Sequence, residues 1–82
     1  LRRRRGPKTL EENEFNRALG ARVAQFRRNR RITQGQLAWS ARVSDAQMGY
    51  YESGESRIPP LRLLRISKRL RVEIEELLPD TK

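Results

Sequence analysis

The stretch Thr33–Gly54, TQGQLAWSARVSDAQMGYYESG, reads as two short helices and the corner between them. Thr33 is followed three residues on by Gln36, and Ser44 by Gln47. Each pair has the form of a capping box: the hydroxyl accepts one N–H orphaned at a helix start, and the carboxamide reaches back to another. An apolar residue precedes each cap and another stands ready to close over it, Ile32 with Leu37 and Val43 with Met48. Such a staple fixes the direction in which the chain enters the helix. One match of this kind is weak, but two stapled boxes eleven residues apart form a specific signal. The first helix runs from Thr33 to about Ala41 and buries Leu37, Ala38 and Ala41. The second runs from Ser44 to Ser53, turns Met48 and Tyr51 inward, and meets Gly54 at the left-handed stop position. The few residues around Ala41-Arg42-Val43 leave room only for a tight corner and a steep crossing.

Working outward, Leu10 to about Arg30 reads as a long helix with a third capping box at Thr9 and Glu12. Phe15, Leu19, Val23 and Phe26 recur at helical spacing and form its buried stripe. Gly20 within it costs about 1 kcal/mol against Ala, which predicts a bend or a close contact there. Beyond Gly54, Pro59-Pro60 suits the first turn of another helix. Its stripe is predicted to be Leu63, Leu64, Ile66 and Leu70, with Ser67 as a small packing residue. Val72, Ile74, Leu77 and Leu78 fit a short fifth helix stopped by Pro79. No stretch alternates apolar and polar residues long enough for a strand. The expected fold is all-α with five helices, one domain over residues 9–82 behind a basic arm over residues 1–8.

Composition narrows the function. The 82 residues carry 19 Lys plus Arg against 10 Asp plus Glu, a net charge of +9, and neither Cys nor His. Without Cys there are no disulfides, thiolate metal sites or thiol nucleophiles, and without His the usual zinc ligand and near-neutral general base are missing. The acids lie mostly toward the ends of the chain, so no catalytic cluster, cofactor site or metal site is predicted, and an enzyme is not expected. No apolar run approaches the roughly 20 residues of a membrane span, and the lack of Cys fits a reducing compartment such as the cytoplasm. The first residue is Leu1 rather than Met, which leads us to expect an upstream piece. Residues 17–71 hold thirteen basic and three acidic side chains, flanked by acidic segments at 9–16 and 72–82. Sixteen of the cations are Arg, the residue that forks onto phosphate and guanine. The expected partner is a polyanion.

Residues 19–78 resemble the helix-turn-helix domain of phage repressors, Cro proteins and Xre-type regulators, a lambda-repressor-like fold. The resemblance rests on Leu19-Gly20, Arg27, Thr33-Gln34, Leu37-Ala38, Val43-Ser44, Tyr51-Glu52-Ser53-Gly54, Pro59, Leu63, Ile66, Leu70, Val72 and Leu77-Leu78. The family often has Gly after its first helix, in the turn before Val43, and between Leu70 and Val72. Here those places hold Arg31, Arg42 and Arg71. A Cβ in a left-handed conformation costs on the order of 1 kcal/mol, and the expectation is that the backbone relaxes there, with an added long-range electrostatic gain.

The resemblance implies a sequence-specific regulator of transcription that places its third helix in the major groove of double-stranded DNA. Gln34 would bond a phosphate and brace helix 3. Base readout would fall to Asp45, Ala46, Gly49 and Tyr50, beside the cap Ser44 and with Gln47 at the edge. Gln reads adenine, Ala touches a thymine methyl and Asp accepts from cytosine. Asp45 is equally explained as a carboxylate stabilising a helix N-terminus, and Gln47 has a competing duty in its capping box. Arg42, Ser53 and Arg57 are the phosphate candidates, with Arg71 a solvated charge. Arg27 and Glu52 resemble the family's internal pair, which as a partly exposed pair would contribute about 0.5–1 kcal/mol. Trp39 stands at a place normally outward-facing, either as a contact surface for DNA or a partner, or as core folded over helix 1. Arg2 to Arg5 would reach into a minor groove or form a tail of nonspecific attraction.

A homodimer on a two-fold-related site is expected, with its surface near Ile74, Leu77 and Leu78. The alternative is an antitoxin-type module whose protein interface uses Trp39 and the acidic ends. A third reading is a general polyanion binder that uses only the Arg excess.

Overall fold

The computed structural model describes residues 10–79. The arm with Arg2 to Arg5 and the Thr9 cap lie outside them. Five helices follow in order: α1 Leu10–Asn29, α2 Gln34–Ala41, α3 Asp45–Ser53, α4 Pro60–Leu70 and α5 Ile74–Leu77. No strand occurs among the described residues.

The predicted stripes of α1, α2 and α3 converge on one core. Leu19, Val23, Leu37, Ala38, Ala41, Met48 and Tyr51 are buried there, with Phe15 and Phe26 packed against its edge. From α4 and α5 come Ile66, Leu70 and Leu77, each fully enclosed. Ser67 is buried as expected and donates its hydroxyl to the Leu64 carbonyl at 2.8 Å. Leu64 itself is 42% exposed. It therefore leaves the predicted α4 stripe, because Leu63, Ile66 and Leu70 already fill the helix face toward the core. Gly20 makes the predicted close contact: α1 crosses α3 so tightly that a Cβ there would meet the carbonyl oxygens of Tyr51 and Glu52.

The capping signals are realised unequally. At α2 the box is complete, with Gln36 N–H on Thr33 Oγ1 at 3.0 Å and Thr33 N–H on Gln36 Oε1 at 2.9 Å. At α3 only the hydroxyl half forms, Gln47 N–H donating to Ser44 Oγ at 3.0 Å. The Gln47 carboxamide is thus not held in a box, contrary to the sequence reading.

The three Arg positions also correct the sequence reading. Arg31, Arg42 and Arg71 do not relax; they sit at φ 57°, 64° and 61°, in the left-handed region. Each ends its helix with a paired hydrogen-bond pattern. Arg42 N–H reaches the Trp39 carbonyl and Val43 N–H the Ala38 carbonyl, at 3.2 and 3.0 Å. Arg31 with Ile32, and Arg71 with Val72, repeat the pattern. In all three the following residue is apolar and packs on or in the core. Two hydrogen bonds and one apolar anchor per helix end outweigh a Cβ strain of about 1–2 kcal/mol.

Helix α2 lies between α3 and α4, packed on both, while α1 spans α3, α4 and α5. Arg22 of α1 clamps the end of α5, its Nε and Nη2 donating to the Glu76 carbonyl at 3.2 and 3.0 Å.

Candidate nucleic-acid interface

Helix α3 turns Met48 and Tyr51 into the core, which forces the other side of the helix outward. Beyond the exposed cap Ser44, its first half presents Asp45 and Ala46, both exposed, and Gln47 and Gly49, partly so. Tyr50 completes this face at 48% exposure. Among the ten site residues expected from sequence, six therefore lie on or beside one helical surface. The remaining four, Gln34, Arg42, Ser53 and Arg57, flank it to different degrees.

Gln34 is the best placed of the four. Its Nε2 donates to Glu52 Oε1 at 2.9 Å, bridging the first turn of α2 to the last turn of α3. Its carboxamide passes over Gly49, where a Cβ would come within 3.8 Å of its Oε1. The bracing role expected of Gln34 is thus visible. Glu52 in turn takes both arms of the Arg27 fork, Nε to Oε2 at 2.7 Å and Nη2 to Oε1 at 3.1 Å. The third guanidinium nitrogen donates to the Ile32 carbonyl at 3.0 Å.

This pair is more enclosed than the sequence suggested, with side chains only 13% and 8% exposed. The expected contribution of a partly exposed pair does not apply. At this burial, losing one partner strands the other in a poorly solvated site, which costs about 3–5 kcal/mol. Arg27, Gln34 and Glu52 together fix α1, α2 and α3 at one angle.

Asp45 sits in the first turn of α3, and its carboxylate lies 3.3 Å from where a Gly35 Cβ would stand. It thus rests between two helix N-termini, where backbone N–H groups favour negative charge. The Ser53 hydroxyl is occupied within its own turn, donating to the Tyr50 carbonyl at 3.1 Å and accepting from Glu55 N–H at 3.3 Å. Arg57 lines a groove whose walls also include Glu11, Glu12 and Glu14 of α1. Arg42 stands at the α2–α3 corner but also walls a groove toward α4. One cation escaped the sequence reading: Arg17 of α1, whose backbone lies 2.6 Å from the position of a Gly54 Cβ and whose exposed side chain adjoins the end of α3. Nothing in the sequence marked it, since the approach of Arg17 to Gly54 comes from the packing of α1 on α3.

A short α2, a tight left-handed corner and an outward-faced α3 are the parts of a helix-turn-helix, and the sequence profile of the helix-turn-helix domain matches residues 18–78. The chain belongs to this family. Several solved structures are similar to it in fold. The restriction-modification controller protein C.AhdI from Aeromonas hydrophila aligns with a TM-score of 0.72 at 22% identity, covering 76% of this chain and 94% of its own. The DNA-binding domain of BldD gives 0.72 at 25% identity, covering 82% and 97%. The clp gene regulator ClgR from Corynebacterium glutamicum gives 0.74 at 25% identity, covering 87% and 71%. No curated protein matches the sequence significantly. Among the described residues of this helix-turn-helix chain, no helix is long and apolar enough to cross a membrane.

Proposed function

We propose that the domain is a sequence-specific, double-stranded DNA-binding regulator of transcription, acting in the cytoplasm and without catalytic activity. The observation that carries this reading is the braced α3: an outward face of Asp45, Ala46, Gln47, Gly49 and Tyr50 on a helix whose angle is fixed by the part-buried Arg27–Glu52–Gln34 network. A helix held rigidly with its polar face outward is what groove reading requires. The family membership and the likeness to a DNA-binding domain and a gene regulator support it.

In this arrangement α3 enters the major groove. Gln47, free of its capping box, contributes its carboxamide to base edges. Tyr50 contacts a base, sugar or phosphate. Asp45 favours the helix start more than it favours a base. Gln34 uses its remaining amide valences on a phosphate, and Arg42 and Arg17 take flanking phosphates. Ser53 contributes through the turn it organises, and Arg57, which shares a groove with three glutamates, has the weakest support as a phosphate contact.

Two copies would read two-fold-related half-sites about 34 Å apart. The dimer surface expected from sequence needs one correction, since Leu77 is fully buried and unavailable. Leu78 of the expected surface is exposed at 38%, and Leu61 and Leu64 of α4 are exposed at 52% and 42%. Leu61→Glu with Leu64→Glu is expected to give a monomer by sedimentation velocity, and a dimer unaffected by both changes would exclude that surface.

Selection of random duplexes at several salt concentrations tests the main reading. An enriched palindrome with a steep salt slope is expected. Retention with no enriched motif would refute sequence specificity. Tyr50→Ala should relax the motif at one position by about 1–3 kcal/mol. Arg42→Ala should weaken all sequences alike and reduce the salt slope by about one.

A further inference from the structure

A second surface lies on the other side of α2. A groove of about 680 Å³ runs along the C-terminal halves of α2 and α4, walled by Trp39, Arg42, Val43, Arg65, Lys68 and Arg69. Ser40 completes the lining, so four of the seven residues are cations and none is an acid. Trp39, the only tryptophan of the chain, is 86% exposed at its rim. Of the two expectations for Trp39, the contact surface is therefore the one that fits, and it is not core.

Two features of this groove have no internal explanation. Lys68 and Arg69 stand in the last turn of α4, where cations complement the carbonyl end of a helix. Arg65 lies a turn earlier, and its Nε is buried with no hydrogen-bond partner among the described residues. A buried charged donor without an acceptor is costly, and in native proteins such groups are usually met by something. An exposed indole likewise contributes little to stability while presenting a large, rigid apolar face of the kind that dominates protein interfaces.

The chemistry of the missing occupant follows. It must bring negatively charged hydrogen-bond acceptors to the cationic wall that Arg65 and Arg69 form, where the guanidinium of partly exposed Arg65 is reached beyond its buried Nε, and Arg forks match carboxylates in pairs. It must also supply apolar surface for Trp39 and Val43, which a phosphodiester backbone lacks. Most of its cations also belong to another element than the groove-reading helix: Arg42 stands at the α2–α3 corner, whereas Arg65, Lys68 and Arg69 lie on α4, which packs on α2.

We propose that this groove docks an acidic peptide segment of a partner protein, with a carboxylate on Arg65 and Arg69 and an apolar side chain laid on Trp39. Occupation is compatible with α3 holding DNA. The proposal stands apart from the DNA-binding reading, because a domain that selected no duplex would still bind the peptide.

Trp39, as the sole indole, is its own reporter. The full chain is titrated with a short synthetic peptide of Glu and Leu, with the same peptide carrying Lys for Glu, and with duplex DNA. The acidic peptide is expected to shift Trp39 emission to the blue, saturably, and to bind more weakly as salt rises. The Lys peptide and the duplex are expected to leave the emission unchanged. With a labelled peptide read by anisotropy, Trp39→Ala and Arg65→Gln should each weaken binding about tenfold. Arg65→Lys, which keeps the charge without the fork, should fall between. Circular dichroism confirms that the variants are folded, and Trp39→Ala should retain duplex affinity. Absence of peptide binding overturns the proposal. Equal binding by the folded Trp39→Ala and Arg65→Gln proteins also overturns it, because the peptide then sits elsewhere on the basic surface. A shift produced by duplex and not by peptide assigns the groove to nucleic acid and overturns it too.

Discussion

The two ends of α2 are built on opposite plans. Its N-terminal end is wired: Thr33 and Gln36 close a full capping box, and Gln34 joins the Glu52–Arg27 pair. Its C-terminal end is open: Trp39 stands in solvent, Arg42 holds a left-handed corner, and Arg65 nearby has a donor unmet among the described residues. The first end sets the angle of a helix, a task that needs satisfied polar groups and no slack. The second end offers charge and apolar area that nothing in the described chain uses. The difference teaches that bracing and binding sit on one eight-residue helix with little shared chemistry.

Glu52→Ala is the sharpest way to break the wired end. It strands Arg27 and releases Gln34, so a loss of about 3–5 kcal/mol is expected. In a domain of this size that lowers the thermal midpoint by more than about 10 °C, measurable by circular dichroism. A shift under a few degrees would mean the pair is solvated in solution and does not govern the α3 angle. Gln34→Ala removes one charge-assisted hydrogen bond while leaving the ion pair intact. The expected loss is about 1.5 kcal/mol, with duplex affinity falling further than stability explains.

The corners between helices give smaller effects of the opposite sign. Arg71→Gly relieves a left-handed Cβ away from α3, with an expected gain of about 0.5–1 kcal/mol. Denaturant melting reads it, and a destabilised Arg71→Gly would show that the Arg side chain itself supports that helix end. At the open end, Trp39→Ala should change stability by less than about 0.5 kcal/mol, as for an ordinary surface position. A larger loss would place the indole among the packed residues.

Much of this was legible in the sequence because it depends on near neighbours. The caps at Thr33 and Ser44, the stop at Gly54 and the start at Pro59-Pro60 are local chemistry, and each falls where the motif puts it. The α1 stripe follows from one helix's periodicity. Gly20 also announced itself, since a costly residue in mid-helix needs a reason, and the reason is the α3 backbone.

The errors came where a residue's fate depends on distant parts of the chain. Leu64 has the spacing of a core residue, but a face already filled by Leu63, Ile66 and Leu70 leaves it outside. Leu77 looks available on a short terminal helix, yet it closes the core. The half-formed box at Ser44 frees Gln47, which spacing alone had assigned to its own backbone.

The sequence by itself determined the helices, the hydroxyl caps at Thr33 and Ser44, the corner and the excess of Arg, because propensity, capping and charge act over a few residues. Only the tertiary structure decided that Arg31, Arg42 and Arg71 stay left-handed, since the anchors at Ile32, Val43 and Val72 are core contacts. It alone enclosed Arg27 and Glu52, turning a surface pair into a frame. It alone brought Trp39 beside Arg65 and Arg69, because packing α2 on α4 joins residues that no periodicity relates.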